Sequence, residues 1–141
     1  MERLWLLRLL LPPLLLLGLI ADHRDGASLP LPLVVGDLIF VTSSYNTGAL
    51  VVNAATDGYK TVWSNDTSLS SQYASVVHRG GFIYGTHGRA DVPPVPALRC
   101  VELETGKVRW SVDDFGDCMM LRCGDRLRAL MESGELVLGQ A

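Results

Sequence analysis

Histidine, cysteine and aspartate are the residue types in this 141-residue chain that could carry chemistry. His78 and His87 lie on neighbouring predicted strands, and two histidines can begin a metal site. A structural zinc site uses four ligands, and no third ligand at a suitable spacing accompanies the two histidines. We therefore predict no metal centre and a structural role for both imidazoles.

The three cysteines are Cys100, Cys118 and Cys123, an odd number that allows at most one disulfide within the chain. Cys118 and Cys123 are five residues apart on one predicted strand, so their side chains should point to opposite faces of the sheet. A bridge between these two is therefore not expected. We predict that the cysteines are small buried hydrophobic residues.

The acidic residues fall in predicted turns. Asp37 and Asp125 stand where hairpin turns favour aspartate, and Asp113 and Asp114 follow the end of a predicted strand. A calcium site would need several convergent oxygen ligands, which this arrangement does not provide. The chain also has no Gly-x-Ser-x-Gly elbow and no phosphate-binding loop. We predict no catalytic, cofactor-binding or metal-binding residues.

A glycine turn organises the elements that carry these residues. Gly36, Gly80 and Gly124 recur at a spacing of 44 residues, and each separates two apolar runs. Such a pair of runs predicts a tight β-hairpin, because glycine supplies the positive φ that the turn requires. A period of about 40–50 residues in strand-rich sequence is typical of the blades of a β-propeller.

The sequence predicts three copies of one sheet. The first spans residues 33–65 with four strands, the second spans residues 73–113, and the third, residues 117–141, lacks the fourth strand. In the second copy we predict a first strand at residues 73–78 and a third strand at residues 98–104. Apolar runs without alternation indicate that both faces of a sheet are covered.

Two tryptophans mark the ends of the first two copies. Trp63 and Trp110 occupy equivalent places on the fourth predicted strand, 47 residues apart because the loops differ in length. Gly106 belongs to a Thr-Gly turn that leads into the strand of Trp110. For these three residues, as for the three turn glycines, we predict roles in sheet docking and turns.

The repeated unit resembles the PQQ-like repeat of quinoprotein-type β-propellers, in the form found in exported bacterial repeat proteins. The resemblance is clearest at residues 100–111, Cys-Val-Glu-Leu-Glu-Thr-Gly-Lys-Val-Arg-Trp-Ser, and covers residues 33–141. It implies an all-β fold, a partial β-propeller of four-stranded antiparallel blades. It also implies that each tryptophan docks against the neighbouring blade and holds the blades together.

The resemblance has two consequences for function. Members of the family usually carry seven or eight blades, so this chain, with about two and a half, is expected either to be truncated or to assemble with protein partners that supply missing blades. Quinoprotein dehydrogenases of the family bind PQQ and Ca²⁺, and their signature includes adjacent cysteines, which are absent here. We expect a non-enzymatic protein that acts in protein interaction or scaffolding. The alternative is a fragment of a PQQ-dependent dehydrogenase-like protein.

The N-terminal segment predicts export. Residues 1–21 join a charged start to a leucine-rich run that Pro12-Pro13 interrupts, a pattern typical of a signal peptide or a membrane anchor. Residues 22–32 are polar and then proline-rich, and are predicted to be a linker. Net charge is −3 and no Lys/Arg cluster follows residue 8, so we expect no nucleic-acid partner. We predict a periplasmic or cell-envelope location, with membrane contact only through the leader, if it is retained.

Overall fold

The computed structural model describes residues 30–55 and 58–141, which form three antiparallel β-sheets. The first sheet has four strands in chain order: β1 (Leu33–Val35), β2 (Leu38–Ser43), β3 (Gly48–Ala55) and β4 (Gly58–Asn65). The second also has four in chain order: β5 (Val77–Arg79), β6 (Phe82–His87), β7 (Ala97–Glu102) and β8 (Val108–Val112). The third has three in chain order: β9 (Cys118–Cys123), β10 (Arg126–Met131) and β11 (Leu136–Gln140).

The all-β class and the three antiparallel sheets predicted from the sequence are confirmed, as is the four-strand count of the first two sheets. The predicted leader at residues 1–21 and residues 22–29 of the predicted linker lie outside the described residues, as do residues 56–57. Within the part of the chain that is described, no helix is long and apolar enough to cross a membrane.

Two-residue turns join the first two strands of each sheet. The register pairs Val35 with Leu38, Arg79 with Phe82 and Cys123 with Arg126, which leaves a Gly-Asp or Gly-Gly pair in each turn. The first turn residues are glycines with positive φ values of 59°, 58° and 62°: Gly36, Gly80 and Gly124. L side chains rarely adopt these angles, so glycine is favoured at the first turn position.

Two predicted strand boundaries are wrong. The first strand of the second sheet begins at Val77 and not at residue 73, because residues 73–76 do not join the hydrogen-bond ladder of the sheet. Val76 is 7% exposed and lies against Gly85. A Cβ added at Gly85 would be 2.7 Å from Cγ1 of Val76. The third strand ends at Glu102, because the Gly106 amide donates a 2.9 Å hydrogen bond to the Glu102 carbonyl and turns the chain.

Each sheet contains a row of residues that are paired across its strands, at the same distance from the first hairpin turn. We call these rows the first, second and third rows, after their sheets. The first row is Leu33, Phe40, Val51 and Trp63. The second row is Val77, Tyr84, Cys100 and Trp110. The third row is Leu121, Arg128 and Leu138. In the first two sheets the register also shifts directly beside the row, at Val51/Val52 and at Cys100/Val101.

The core consists of two clusters, one on each side of the second sheet. Ile83 and Val101 pack with residues of the first sheet, including Phe40 and Val51, in one cluster. Their neighbours Tyr84 and Cys100 point to the opposite face of the strand and pack with the third sheet in the other cluster. The second sheet is therefore covered on both faces, and β5 contacts both β1 and β9.

Candidate functional site

The two histidines lie far apart in the second sheet. His78 pairs with Ile83, which is four residues before His87, so the backbone positions of the two histidines are about 13 Å apart along the strand. His78 Nε2 accepts a 3.2 Å hydrogen bond from the Gly81 amide, and His87 Nδ1 accepts a 3.0 Å bond from the Ser70 amide. Among the described residues no three His, Cys, Asp or Glu side chains are grouped to hold a metal ion.

The environment of His87 makes the stability of the fold depend on pH. Burial lowers the pKa of His87 from 6.5 to about 4, with a smaller lowering by Arg99 and an opposite effect of Asp66. The Ser70 amide already donates to Nδ1, so protonation at that nitrogen would break the bond. Because the unfolded chain binds the proton more readily than the folded chain between pH 6.5 and 4, stability should fall as pH falls through this range.

A substitution separates this effect from general acid denaturation. We expect His87→Asn, whose side-chain oxygen can still accept from Ser70, to reduce the loss of stability between pH 7 and pH 4.5 by roughly 1–2 kcal/mol. Urea unfolding at the two pH values measures the loss. The parallel variant His78→Asn should remove less of this pH-dependent loss. Burial and Arg122 lower the pKa of the His78 imidazole, but by less than the pKa of His87 is lowered. Equal losses for the wild type and His87→Asn would contradict the assignment.

All three cysteines are free in the structure, and this agrees with the prediction that Cys118 and Cys123 do not form a bridge with each other. Cys100 and Cys118 are buried, and burial raises the pKa of both thiols, that of Cys118 to about 11. They are therefore poor nucleophiles at neutral pH. Cys123 differs from the prediction, since it is exposed at the end of β9.

The acidic residues remain separate. Asp37 and Asp125 occupy exposed second positions of hairpin turns. Asp113 accepts a 3.1 Å hydrogen bond from the Ser111 hydroxyl, and Asp114 adopts a φ of 54° in the exposed turn after β8. These carboxylates do not converge on one point.

A groove of about 600 Å³ lies between the first two sheets and the proline-rich loop that precedes β7. Its two arginines already bind other groups of the protein. Arg99 donates to the carbonyls of Thr67 and Ser68 at 2.6 and 3.0 Å, and Arg89 forms an ion pair with Asp91. The groove is therefore best explained as a junction that holds loops together.

Trp63 on β4 links the first sheet to the second. Its indole Nε1–H donates a 2.7 Å hydrogen bond to the Leu103 carbonyl in the turn before β8. Its ring lies flat on that turn, since a Cβ built on Gly106 would be 2.8 Å from ring atom Cδ2. The ring also contacts Phe40 with a centroid separation of 6.1 Å. The Thr-Gly turn of one sheet thus receives the tryptophan of the preceding sheet.

Trp110 occupies the equivalent place on β8, and no turn of the described residues lies against it. Its side chain is 41% exposed, and its ring contacts Tyr84 at a centroid separation of 6.0 Å. In the third sheet Ala141 occupies the position that Leu103 has in the second sheet. The Leu103 amide donates to the carbonyl of Gly81, and the Ala141 amide donates to the carbonyl of Asp125, the second residue of the equivalent hairpin turn. The Ala141 oxygen accepts a hydrogen bond from Arg79.

The third sheet presents an apolar face to solvent, which we call the open face. Its residues alternate with the buried Met120, Leu127 and Ala129 along the strands. Five apolar side chains of the open face are between 49% and 71% exposed. The face consists of Met119, Leu121, Arg128, Leu130, Leu136 and Leu138. Contiguous exposed apolar surface of this kind marks interaction sites.

The open face is the candidate functional site, and the sequence analysis did not identify it. The available signal was the unbroken apolar run at Met119–Leu121, which indicates a strand covered on both faces. In the part of the chain that the structure describes, the second sheet covers one face of β9 and the other face is uncovered.

Comparison with known proteins gives no family. No family model matches the chain, and no curated protein matches it. The proposed function is therefore based on the fold and on the open face.

Proposed function

We propose that this chain is a non-enzymatic PQQ-like β-propeller repeat protein, exported to the periplasm or cell envelope, that acts in protein interaction or scaffolding. The observation that carries the proposal is the open face of the third sheet, with five exposed apolar side chains on three adjacent strands. The partner is a protein, either a binding partner or a chain that supplies further blades.

The propeller arrangement is supported by how the sheets repeat. The first, second and third rows lie at equivalent register positions, and the first strands of successive sheets contact each other, β1 with β5 and β5 with β9. Sheets of one design that each contact only their neighbours are typical of repeat folds, and four strands per sheet is the size of a propeller blade. The Trp63 contact with the turn at Gly106 is the docking that the family resemblance implies.

The proposed interaction role is supported by a comparison of which face of each sheet is covered. The face that carries the first row is covered by the second sheet, and the face that carries the second row is covered by the third sheet. The face that carries the third row has no covering sheet among the described residues. Covering the open face would remove apolar area from water, which favours association at about 25 cal/mol per Å² before the costs of binding.

A site-specific photo-crosslinker tests the proposal in cells that make the full chain. We expect a crosslinking amino acid at Leu138, on the open face, to give a discrete protein adduct, and one at Val95, 51% exposed in the proline-rich loop, to give none. Leu121→Glu should abolish the Leu138 adduct, because the two side chains share the third row on either side of Arg128.

Two results would contradict the proposal. The open face does not select a partner if the adducts at Leu138 and Val95 form in similar yield. The same conclusion holds if the Leu138 adduct still forms in the Leu121→Glu variant while that variant keeps its native circular dichroism.

A further inference from the structure

All the residues that line the groove between the first two sheets belong to residues 44–114. They come from the β2–β3 turn, the connection between β4 and β5, the proline-rich loop between β6 and β7, and the strands and turns beside them. The volume of about 600 Å³ lies within the range of about 300–1,000 Å³ for small-molecule sites. This loop junction is therefore also large enough to hold a small ligand.

A buried glutamine fixes two of the groove walls relative to each other. Gln72 is 3% exposed, and its Nε2 donates to the Tyr45 hydroxyl at 2.6 Å and to Asp91 Oδ1 at 3.0 Å. Its Oε1 accepts a 2.8 Å hydrogen bond from the Ala90 amide. The β2–β3 turn and the proline-rich loop are thus held in place by the protein itself, which lowers the ordering cost of binding a ligand between them.

The β2–β3 turn holds a tyrosine of the groove in a strained conformation. Tyr45 and Asn46 have φ values of 57° and 64°, and the Thr47 amide donates a 3.2 Å hydrogen bond to the Ser44 carbonyl. Turns with a positive φ at both central positions favour Asn-Gly, and a bulky residue with a positive φ is an outlier. Arg89 lies over the Tyr45 ring, 4.3 Å from its centroid. Strain of this kind persists where the surrounding structure imposes it, and it clusters at functional sites.

Two side chains of the groove keep N–H groups that bind nothing in the described part of the chain. His87 Nδ1 accepts from the Ser70 amide, so the neutral imidazole carries its proton on Nε2, which has no partner there. Arg99 uses Nε and Nη1 in hydrogen bonds with the protein, and its Nη2 has no partner among the same residues. Because every buried side-chain polar atom of the described residues has a partner, both groups are accessible to water.

A carboxylate lies near each of these two donors. Burial lowers the pKa of His87 to about 4, and the nearby Asp66 acts in the opposite direction. Burial also lowers the pKa of Arg99, and Asp113 opposes that effect. Neither carboxylate forms an ion pair with its donor among the described residues. A hydroxyl group accepts from a nitrogen and donates to a carboxylate at the same time, so each donor and its carboxylate suit one hydroxyl of a ligand.

We propose that the groove binds a neutral saccharide. Its hydroxyl groups bind between His87 and Asp66 and between Arg99 and Asp113. Its C–H faces pack on the exposed apolar side chains of the proline-rich loop that line the groove, Val92, Pro93, Pro94 and Val95. The site is separate from the open face and goes beyond the proposed function.

The charges of the groove favour a neutral ligand. Asp66, Asp113 and Asp114 line it, and of its two arginines Arg89 is already paired outside the lining. An acidic ligand would be repelled by the three carboxylates. A cationic ligand would leave the N–H groups of His87 and Arg99 without an acceptor, since it brings further donors.

NMR titration of the full chain with two neutral disaccharides, cellobiose and maltose, tests the proposal. We expect at least one of them to give saturable shifts of the His87 imidazole and the Tyr45 ring, with a dissociation constant of about 0.1–10 mM. The His78 imidazole, which lies outside the groove, should not shift. Glucuronic acid should bind about tenfold or more weakly than the better disaccharide, because its carboxylate meets those of the groove.

Two variants remove the ligand's partners and keep the local structure. His87→Asn retains an acceptor for the Ser70 amide and loses the Nε2–H donor, and Asp113→Asn retains an acceptor for the Ser111 hydroxyl and loses the charge. Each should weaken binding about tenfold, the effect of one lost hydrogen bond. The matched controls His78→Asn and Asp37→Asn, both outside the groove, should leave the dissociation constant unchanged.

Three results would overturn the inference. The first is no saturable shift at His87 with either disaccharide up to about 50 mM. The second is binding by His87→Asn and Asp113→Asn that is as tight as binding by their controls, and the third is equally tight binding of glucuronic acid. The crosslinking experiment at Leu138 is independent of all three, because the open face contributes no residue to the groove.

Discussion

Replacing Trp63 with alanine should lower the free energy of unfolding by about 3–5 kcal/mol, the range for removing a large packed aromatic side chain. Three contacts are lost together: the 2.7 Å hydrogen bond to the Leu103 carbonyl, the ring contact with Gly106 and the contact with Phe40. The first two contacts join the first sheet to the second, and the third lies within the first sheet. Urea unfolding at pH 7 measures the change.

Trp110→Ala is the matched control. The two tryptophans occupy equivalent positions, but Trp110 is 41% exposed and contacts only Tyr84 among the aromatic rings of the described residues. We expect a loss of about 1–2 kcal/mol, because much of the ring is already in water. The sequence alone predicted the same docking role for both residues. Equal losses would show that Trp63 gains nothing from the turn beneath it.

Much of the fold could be predicted from the sequence because its signals are local. A positive φ favours glycine at each of Gly36, Gly80 and Gly124, and the 44-residue spacing of these turns places the hairpins. The start of β5 could not be predicted, because it depends on how Val76 packs against Gly85, nine residues further along the chain. A pattern of apolar residues does not distinguish a strand from a segment that packs through its side chains.

The candidate site was harder to predict because it depends on which sheets have neighbours. Trp63 and its acceptor Leu103 are 40 residues apart, and the contact exists only because the second sheet lies against the first. The continuous apolar run of β9 predicted cover on both faces, whereas Met119 and Leu121 are 71% and 65% exposed. This mismatch between pattern and exposure supports the proposal that a partner covers the open face.

Gly106→Ala should destabilise the protein by about 2–4 kcal/mol. The new methyl group would lie 2.8 and 2.9 Å from two atoms of the Trp63 ring, and the backbone holds a φ of +72° that L side chains rarely adopt. The backbone strain accounts for about 1–2 kcal/mol and the displacement of the ring for the remainder. Thermal and urea unfolding both measure the loss.

Two further variants separate these contributions. Gly134→Ala has a similar φ of +86° and nothing within 4 Å of the added methyl group, so it should show only the backbone cost of about 1–2 kcal/mol. In a Trp63→Leu background the collision at Gly106 disappears, so Gly106→Ala should cost no more than Gly134→Ala. A cost that stays the same with and without the indole would mean that the two residues are not coupled. Coupling, in contrast, would show that the turn of one sheet and the tryptophan of the preceding sheet stabilise the fold as one contact.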